Sequence, residues 1–237
     1  MMTPRQNQGA GKHRPPAIPL DHYDLRLEQR TPNLFYVFYG GEVTEKKYFE
    51  GLRTDLANKV KDKSQFVHLR YANGTPDQIV RSALKEVNDR QQEGTENTHE
   101  DIVWVVFDKD DFNDYSSAIA LVQQQQEINV AYSNECFELW LLLHFQEQKT
   151  PIRRKALTEF LRKKWEDTTG TIIDSKREVK HFPYGTVRKH GDRNEAIVRA
   201  KSLHQQAREK NPQSPWEVNP ATTVYELVEQ LVGFFAE

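Results

Sequence analysis

The chain has 237 residues, of which 37% are hydrophobic, 29% charged and 11% aromatic, a composition typical of a globular protein that buries a core. No apolar run approaches the roughly 18–20 residues that span a bilayer, and residues 1–20 lack the apolar stretch of a secretory signal. The single cysteine, Cys136, excludes an intramolecular disulfide and a zinc site built from several cysteines. We therefore expect a cytoplasmic protein without a membrane segment.

Charge is distributed unevenly along the chain, although the formal net charge is only −2. Residues 149–210 contain 17 Lys and Arg against 8 Asp and Glu, a surplus of +9, and the rest of the chain carries −11. A basic segment beside an acidic core is typical of a surface that binds polyanions such as nucleic acid. Solvated helix faces would give the same composition, so the sequence leaves both interpretations open.

The first part of the chain alternates between segments typical of strands and segments typical of helices. Residues 1–30 are predicted to be a disordered or extended tail, and residues 31–148 an α/β core. The predicted strands are 34–39, 66–71, 102–107 and 128–133. The predicted helices are 44–56, 75–91, 115–126 and 135–145. This order implies parallel strands joined by right-handed crossovers, with the functional site beyond the carboxyl ends of the strands.

Beyond residue 148 the pattern becomes helical and basic. Residues 153–165 and 193–210 are predicted helices, and the basic stretch between them, 167–192, is predicted to be irregular. The last apolar segment begins at Asn219-Pro220, and we expect it to form a helix that docks back onto the sheet. The sequence therefore predicts a helical, basic C-terminal region over residues 149–237.

The stretch VVFDKDD, residues 105–111, places acidic side chains where a buried strand ends. Asp108 and Asp110 follow the third predicted strand, and Glu42 and Glu45 follow the first. If these two strands are neighbours, and if a turn aims both aspartates at one point, the acidic loops converge at the edge of the sheet. Mg²⁺ or Mn²⁺ would take such oxygen ligands and offset their repulsion. A solvated turn is the alternative, since Asp is common in turns.

Glu138 is the least expected carboxylate, because its helical neighbours at i+3, i+4 and i+7 are all apolar. A carboxylate in such a place needs a cation or a backbone donor, or it faces a functional site with a raised pKa. We expect Ser133 or Asn134 to cap this helix and Glu135 to lie in its first turn.

Four blocks of the chain carry a family resemblance: GGEVTEKKYFEGL at 40–52, VWVVFDKDD at 103–111, SNECFELWLLLHF at 133–145 and NPATTVYELVEQL at 219–231. They resemble the RloB-like proteins, relatives of the phage abortive-infection component AbiL with a Toprim-like fold. The blocks span most of the chain beyond residue 33.

The resemblance implies an α/β fold with a Toprim-like parallel sheet flanked by helices. It also implies a site in which a Glu after the first strand and Asp108 and Asp110 after the third hold Mg²⁺ or Mn²⁺. Such sites serve a nuclease that cleaves RNA (tRNA included) or DNA, here as the effector of an anti-phage abortive-infection system. The implied partner is a separate ABC- or AAA-like ATPase (RloA-like), which fits the absence of a Walker A sequence from this chain.

The chain departs from the family pattern in its first block. The family reads E-G-x-x-T-E there, whereas Gly40 stands in this chain where the Toprim Glu is usual. Glu45 matches the second Glu, and Glu42 lies two residues beyond the missing one. Because Glu42 precedes the helix on a loop with two glycines, we favour it as the replacement, with Glu45 as the alternative.

Two hypotheses follow from these residues. The first is a nuclease effector controlled by an ATPase, and its predicted catalytic residues are Glu42, Glu45, Asp108, Asp110 and Glu138, with Asp108, Asp110 and Glu42 as metal ligands. The residues predicted to bind nucleic acid are Lys109, Arg153, Arg154, Lys155, Arg162, Lys163, Lys164, Arg188 and Lys189. The second hypothesis is a catalytically impaired, Toprim-like binding subunit that docks on the ATPase or on nucleic acid. A homo-oligomer is left open by the sequence.

Overall fold

The computed structural model describes residues 34–58, 63–92, 101–172 and 184–236, which form an α/β fold. The strands are β1 (Phe35–Tyr39), β2 (Val67–Tyr71), β3 (Ile102–Asp108), β4 (Asn129–Asn134) and β5 (Ala221–Thr222). The helices are α1 (Thr44–Ala57), α2 (Pro76–Gln92), α3 (Tyr115–Gln123), α4 (Glu138–Leu143), α5 (Arg154–Thr169), α6 (Tyr184–His190), α7 (Arg193–Lys210) and α8 (Val224–Ala236). Short 3₁₀ turns lie at Lys63–Phe66 and Pro215–Glu217.

The five strands form one sheet in the order β2-β1-β3-β4-β5. The first four are parallel, and β5 pairs antiparallel with the end of β4. In register, Val37 of β1 lies between Leu69 of β2 and Trp104 of β3. The predicted α/β fold with a parallel sheet is therefore confirmed, and the loops that follow β1 and β3 leave the same edge of the sheet side by side.

Both faces of the sheet are covered, which explains why β1 and β3 are apolar almost throughout. Because side chains alternate along a strand, Phe35 and Val37 face the layer that contains α1, α4 and α8. Tyr36 and Phe38 face the opposite layer, which contains α2 and α3. All four side chains are at most 5% exposed, so β1 lies at the centre of the protein.

The C-terminal region contributes to the same core as the sheet. The described residues, from 34 to 236, belong to one compact unit. Leu157 of α5, Leu203 of α7 and Leu231 of α8 are buried in the layer that covers α1 and α4. The last helix packs against β4 and α1, as the sequence predicted. The described residues contain no helix with the length and apolar character needed to cross a bilayer.

Two boundaries in this region differ from the prediction. Helix α5 continues to Thr169 and ends at Gly170, whose φ of 70° is the left-handed conformation that glycine adopts easily at a helix end. Part of the stretch predicted to be irregular is helical, since α6 covers residues 184–190. Residues 173–183 of that stretch, and the predicted tail at 1–30, lie outside the described residues.

The start of α4 corrects a further prediction. Ser133 and Asn134 do not cap this helix, because they are the last residues of β4 and α4 begins at Glu138. The Ser133 hydroxyl is hydrogen-bonded to the hydroxyl of Thr222 at 3.1 Å, and Asn134 Nδ2 donates to the carbonyl of Trp216 at 3.0 Å. These partners lie more than 80 residues away in sequence, so a local capping pattern could not reveal them.

Candidate metal and nucleic-acid site

A cavity of about 660 Å³ opens at the carboxyl ends of β1 and β3. Its lining includes Glu45 from the first turn of α1, Asp108 and Asp110 from the end of β3, and Glu138 from the first turn of α4. Strand alternation places Asp108 on the face that packs against α1 and α4, next to these glutamates. The parallel sheet thus brings together carboxylates that are up to 93 residues apart in sequence.

Asp110 reaches the cavity because the chain turns immediately after β3. Its φ is 40°, a left-handed conformation that Asp adopts more readily than most residues. Its backbone N–H donates to the carbonyl of Glu135 at 3.1 Å, which fixes the turn against the end of β4. Asp108 and Asp110 therefore both contact the guanidinium of Arg154, so the turn required by the sequence analysis is present.

The carboxylates of this cluster are buried and repel one another. Burial, together with the neighbouring Glu45 and Glu138, raises the pKa of Asp108 well above its ordinary value. Burial and Glu138 raise the pKa of Glu45 to about 7. Burial also raises the pKa of Asp110, although Arg154 partly opposes it. One buried oxygen, Asp108 Oδ1, has no hydrogen-bond partner. The cluster therefore favours either protons or an added cation.

Glu138 is held at the start of α4 beside the first turn of α1. Its Oε1 accepts a hydrogen bond of 3.5 Å from the Thr44 hydroxyl. Glu138 is 7% exposed and lines the cavity, so it has a donor near the helix start and also faces the site. The donor is thus a side-chain hydroxyl and not the cation or backbone group that the sequence analysis expected, and Glu138 faces the site as the second interpretation proposed.

Arg154 is the cation that lies against the two aspartates. Its Nη2 forms an ion pair with Asp110 and lies 3.5 Å from Asp108 Oδ2. Glu135 fixes its position, since the Glu135 carboxylate accepts hydrogen bonds of 2.8 Å from the backbone N–H of Arg154 and from Nη1 of Arg153. Glu135 is therefore a cap for α5, and the prediction that it lies in the first turn of α4 was wrong. The sequence analysis assigned the basic residues 153–155 to nucleic-acid binding. It did not predict that Arg154 contacts the two aspartates.

The chemistry of the donor set fits a hard divalent cation. No group of three or more His, Cys, Asp or Glu in the described ranges has the arrangement of a complete metal site. Mg²⁺ does not require one, because it usually keeps several waters and takes only one or two protein carboxylates. Asp108 and Asp110 supply such oxygens, and the unpartnered Asp108 Oδ1 is an acceptor without a donor. A cation there would take over the role of the Arg154 guanidinium.

Of the two glutamates that follow Gly40 and Gly41, only Glu45 lies with the other carboxylates. Glu42 lies in the turn between them and α1 and is exposed at the rim of the cavity. Glu45 is 6% exposed, and its carboxylate packs directly over Gly41, where an added Cβ would overlap it. A Cβ at Gly40 would lie 2.6 Å from Ile79 Cδ1. The geometry therefore favours Glu45 over Glu42 as the carboxylate that accompanies Asp108.

Gly41→Ala is expected to displace the Glu45 carboxylate and so to weaken any divalent-metal binding at this site. We expect a loss of about tenfold in Mn²⁺ affinity, comparable to the loss of a supporting contact at a metal site. Gly233→Ala on α8 is the matched control, because a Cβ there meets nothing within 4 Å. Calorimetric titration of Mn²⁺ into both variants checks this, and equal affinities would show that Glu45 does not contribute.

The predicted nucleic-acid-binding residues fall into two groups. The first is engaged in ion pairs: Lys109 with Glu217, Arg153 with Glu135, Arg154 with Asp110, Arg162 with Glu159 and Glu166, and Arg188 with Asp55. The second has no ion pair to any described residue and comprises Lys155, Lys163, Lys164 and Lys189. Of these, Lys155 lines the cavity directly. The structure thus brings one unpaired lysine to the carboxylates and leaves the others on outer helix surfaces.

The fold and the site together define a class of protein. The chain has a Toprim-like α/β fold in which acidic side chains from β3, α1 and α4 meet at the carboxyl edge of a parallel sheet. The family model described as RloB-like protein matches residues 35–231, and the chain belongs to that family. No curated protein and no solved structure matches the chain.

Proposed function

We propose that this RloB-like protein is a divalent-metal-dependent endonuclease that cleaves the phosphodiester bonds of RNA or DNA. The observation that carries the proposal is the buried cluster of Glu45, Asp108, Asp110 and Glu138 with its unpartnered Asp108 Oδ1. Buried carboxylates that repel one another destabilise a metal-free protein, so a cluster of this kind is typical of a site that acquires a cation for its function. Anti-phage defence as an abortive-infection effector is proposed on family membership.

Three side chains of the cluster have assigned roles in this proposal. Asp108 and Asp110 hold Mg²⁺ or Mn²⁺, which when bound stabilises negative charge on the reacting phosphate. Glu45 takes the place of the glutamate that is usual at position 40. It would accept a proton from the water that attacks the phosphorus, while the bond to the leaving oxygen breaks and that oxygen takes up a proton. The burial of Glu45 over Gly41 keeps it in one position.

Two cations on α5 are available for the substrate. Arg154 exchanges its aspartate contacts for the phosphate when the metal neutralises the aspartates, since a guanidinium binds phosphate as well as carboxylate. Lys155 lines the same cavity and adds a second positive charge. Both binding partners of the phosphate thus come from the helix whose start is anchored by Glu135.

An ABC- or AAA-like ATPase is the proposed partner that controls the nuclease. The support for it is the family resemblance, and a separately supplied ATPase fits a sequence that has no Walker A motif. Regulation by such a partner explains how a cell tolerates a nuclease of this kind before infection.

A pair of isosteric substitutions tests the catalytic assignment. With a labelled tRNA, a single-stranded DNA and a duplex DNA as substrates, Glu45→Gln should lose Mg²⁺-dependent cleavage by at least about a hundredfold. Glu42→Gln makes the same chemical change at an exposed position and should retain cleavage. The assay is run with the protein alone and together with any ABC- or AAA-like ATPase encoded beside its gene, and EDTA should abolish the activity.

The opposite results identify what would replace the proposal. Loss in Glu42→Gln but not in Glu45→Gln would return the role to Glu42, the residue favoured by sequence. If wild-type protein cleaves none of the substrates with its ATPase and metal present, the protein is instead a catalytically impaired binding subunit. The absence of a glutamate at Gly40, and the contacts of Arg154 with both aspartates, would then explain the lack of catalysis.

A further inference from the structure

The cavity has an apolar half that the chemistry of phosphate cleavage does not require. The apolar part of its lining comprises Tyr71, Pro76, Ile79, Phe107 and Phe112. A site that contacts only a phosphate backbone needs charged and polar groups, not an apolar wall. This half of the cavity therefore faces another part of the substrate.

Two of the wall residues are exposed aromatic side chains. Tyr71, the last residue of β2, is 44% exposed, and Phe112, in the turn after β3, is 40% exposed. Only one more aromatic ring in the described part of the chain, that of Phe160, is exposed to this extent, and it does not line the cavity. Two of the three exposed aromatic rings in the described residues therefore line the cavity.

Contacts position the Tyr71 ring and the turn that carries Phe112. The Tyr71 hydroxyl donates to Asn73 Oδ1 at 3.2 Å, and its ring lies 6.2 Å from the buried ring of Tyr39. The backbone N–H of Phe112 donates to the carbonyl of Lys109 at 3.1 Å, in the turn that also carries Asp110. The Tyr71 ring and the backbone that carries Phe112 are therefore positioned beside the carboxylates, where a stacking surface for a flat ligand would be needed.

We infer that the substrate is unpaired nucleic acid, whose bases stack on Tyr71 and Phe112 while the phosphate between them lies at the carboxylates. This inference rests on the proposed function and names its substrate class. A base inside a duplex is stacked on its neighbours and cannot reach these rings, whereas the base of a single strand or loop can. Stacking tolerates any sequence because every base has a flat face. The positive charges of Arg154 and Lys155 complement the phosphates.

Fluorescence anisotropy with labelled 12-nucleotide single strands of RNA and of DNA, and with the matching duplexes, tests the inference. The full-length Asp108→Asn protein is used, because it removes one repelling charge and does not cleave the probe. Tyr71→Ala and Phe112→Ala should each weaken single-strand binding about tenfold. Tyr71→Phe and Phe112→Tyr keep a flat ring and should bind single strands as tightly as the parent. Tyr71→Leu keeps apolar bulk without a flat ring and should bind as weakly as Tyr71→Ala.

Phe160→Ala is the matched control, because it removes a similarly exposed ring outside the cavity and should leave the affinity unchanged. The inference is overturned if Tyr71→Ala and Phe112→Ala bind single strands like the parent, if Phe160→Ala weakens binding equally, or if the duplexes bind as tightly and show the same losses. Comparing the affinities for the RNA and DNA single strands shows which of the two nucleic acids is preferred. If the Tyr71 and Phe112 variants bind single strands more weakly but wild-type protein cleaves no substrate, the nuclease proposal is refuted and the binding of unpaired nucleic acid is retained. If wild-type protein cleaves but these variants bind like the parent, the nuclease proposal is retained and the stacking inference is refuted.

Discussion

Asp108→Asn should make the metal-free protein more stable and at the same time inactive. In EDTA at pH 8 we expect a gain of about 1–2 kcal/mol in the free energy of unfolding, or roughly 2–8 °C in Tm. The reason is that Asn has the shape of Asp but removes a charge that is buried beside Glu45, Glu138 and Asp110. Metal-dependent cleavage should fall at least about a hundredfold, because the principal carboxylate ligand is gone.

Asp111→Asn is the control for this prediction. It makes the same change in the same acidic run, but Asp111 is exposed and does not line the cavity. We expect its Tm and its cleavage rate to match the wild type within error. Thermal unfolding by circular dichroism gives the stability and a gel assay gives the rate. A loss of stability in Asp108→Asn would mean that the contact of Asp108 with Arg154 outweighs the repulsion.

The metal-free protein should lose stability as the pH rises from about 4.5 to about 7, and Glu45 should account for a large part of the loss. Because the pKa of Glu45 is raised from 4.5 to about 7, the folded state holds a proton that the unfolded state has already released in this window. The contribution of Glu45 to stability is thus fully present below pH 4.5 and is lost above pH 7. The expected change is about 3 kcal/mol.

Glu45→Gln should remove this contribution and be more stable than wild type at pH 8 by a similar amount. Urea unfolding at pH 5 and pH 8 measures the free energy for both proteins, and the difference between them isolates Glu45 from other titrating groups. Glu42→Gln, at an exposed position, should keep the wild-type pH dependence. If wild type and Glu45→Gln respond identically to pH, the Glu45 carboxylate is not in the buried, repelled environment described.

The layout of the sheet could be predicted from the sequence because local patterns determine it. Apolar strand segments that alternate with amphipathic helices allow few arrangements other than parallel strands with crossovers. Side-by-side positions for β1 and β3 then bring Asp108 and Glu45 to one edge. The position of the cavity therefore followed from the order of these elements once β1 and β3 were neighbours, whereas β5 and α6 were not predicted.

The details of the site could not be predicted in this way, because contacts distant in sequence decide them. Arg154 lies 46 residues after Asp108, and its basic neighbours favoured a role on the surface. The choice between Glu42 and Glu45 depends on how the Glu45 side chain packs over Gly41, which no spacing rule describes. Similarly, Ser133 and Asn134 look like helix caps until their partners on β5 and the Pro215–Glu217 turn are known.

Direct binding of Mn²⁺ is the measurement closest to the central claim that this carboxylate cluster is a divalent-metal site. Calorimetric titration of full-length wild-type protein and of the double variant Asp108→Asn with Asp110→Asn requires no knowledge of the substrate or the ATPase. We predict a saturable heat of binding for the wild type that competes with Mg²⁺ and disappears in the double variant. Equal Mn²⁺ binding by both proteins, or none by either, would contradict the claim.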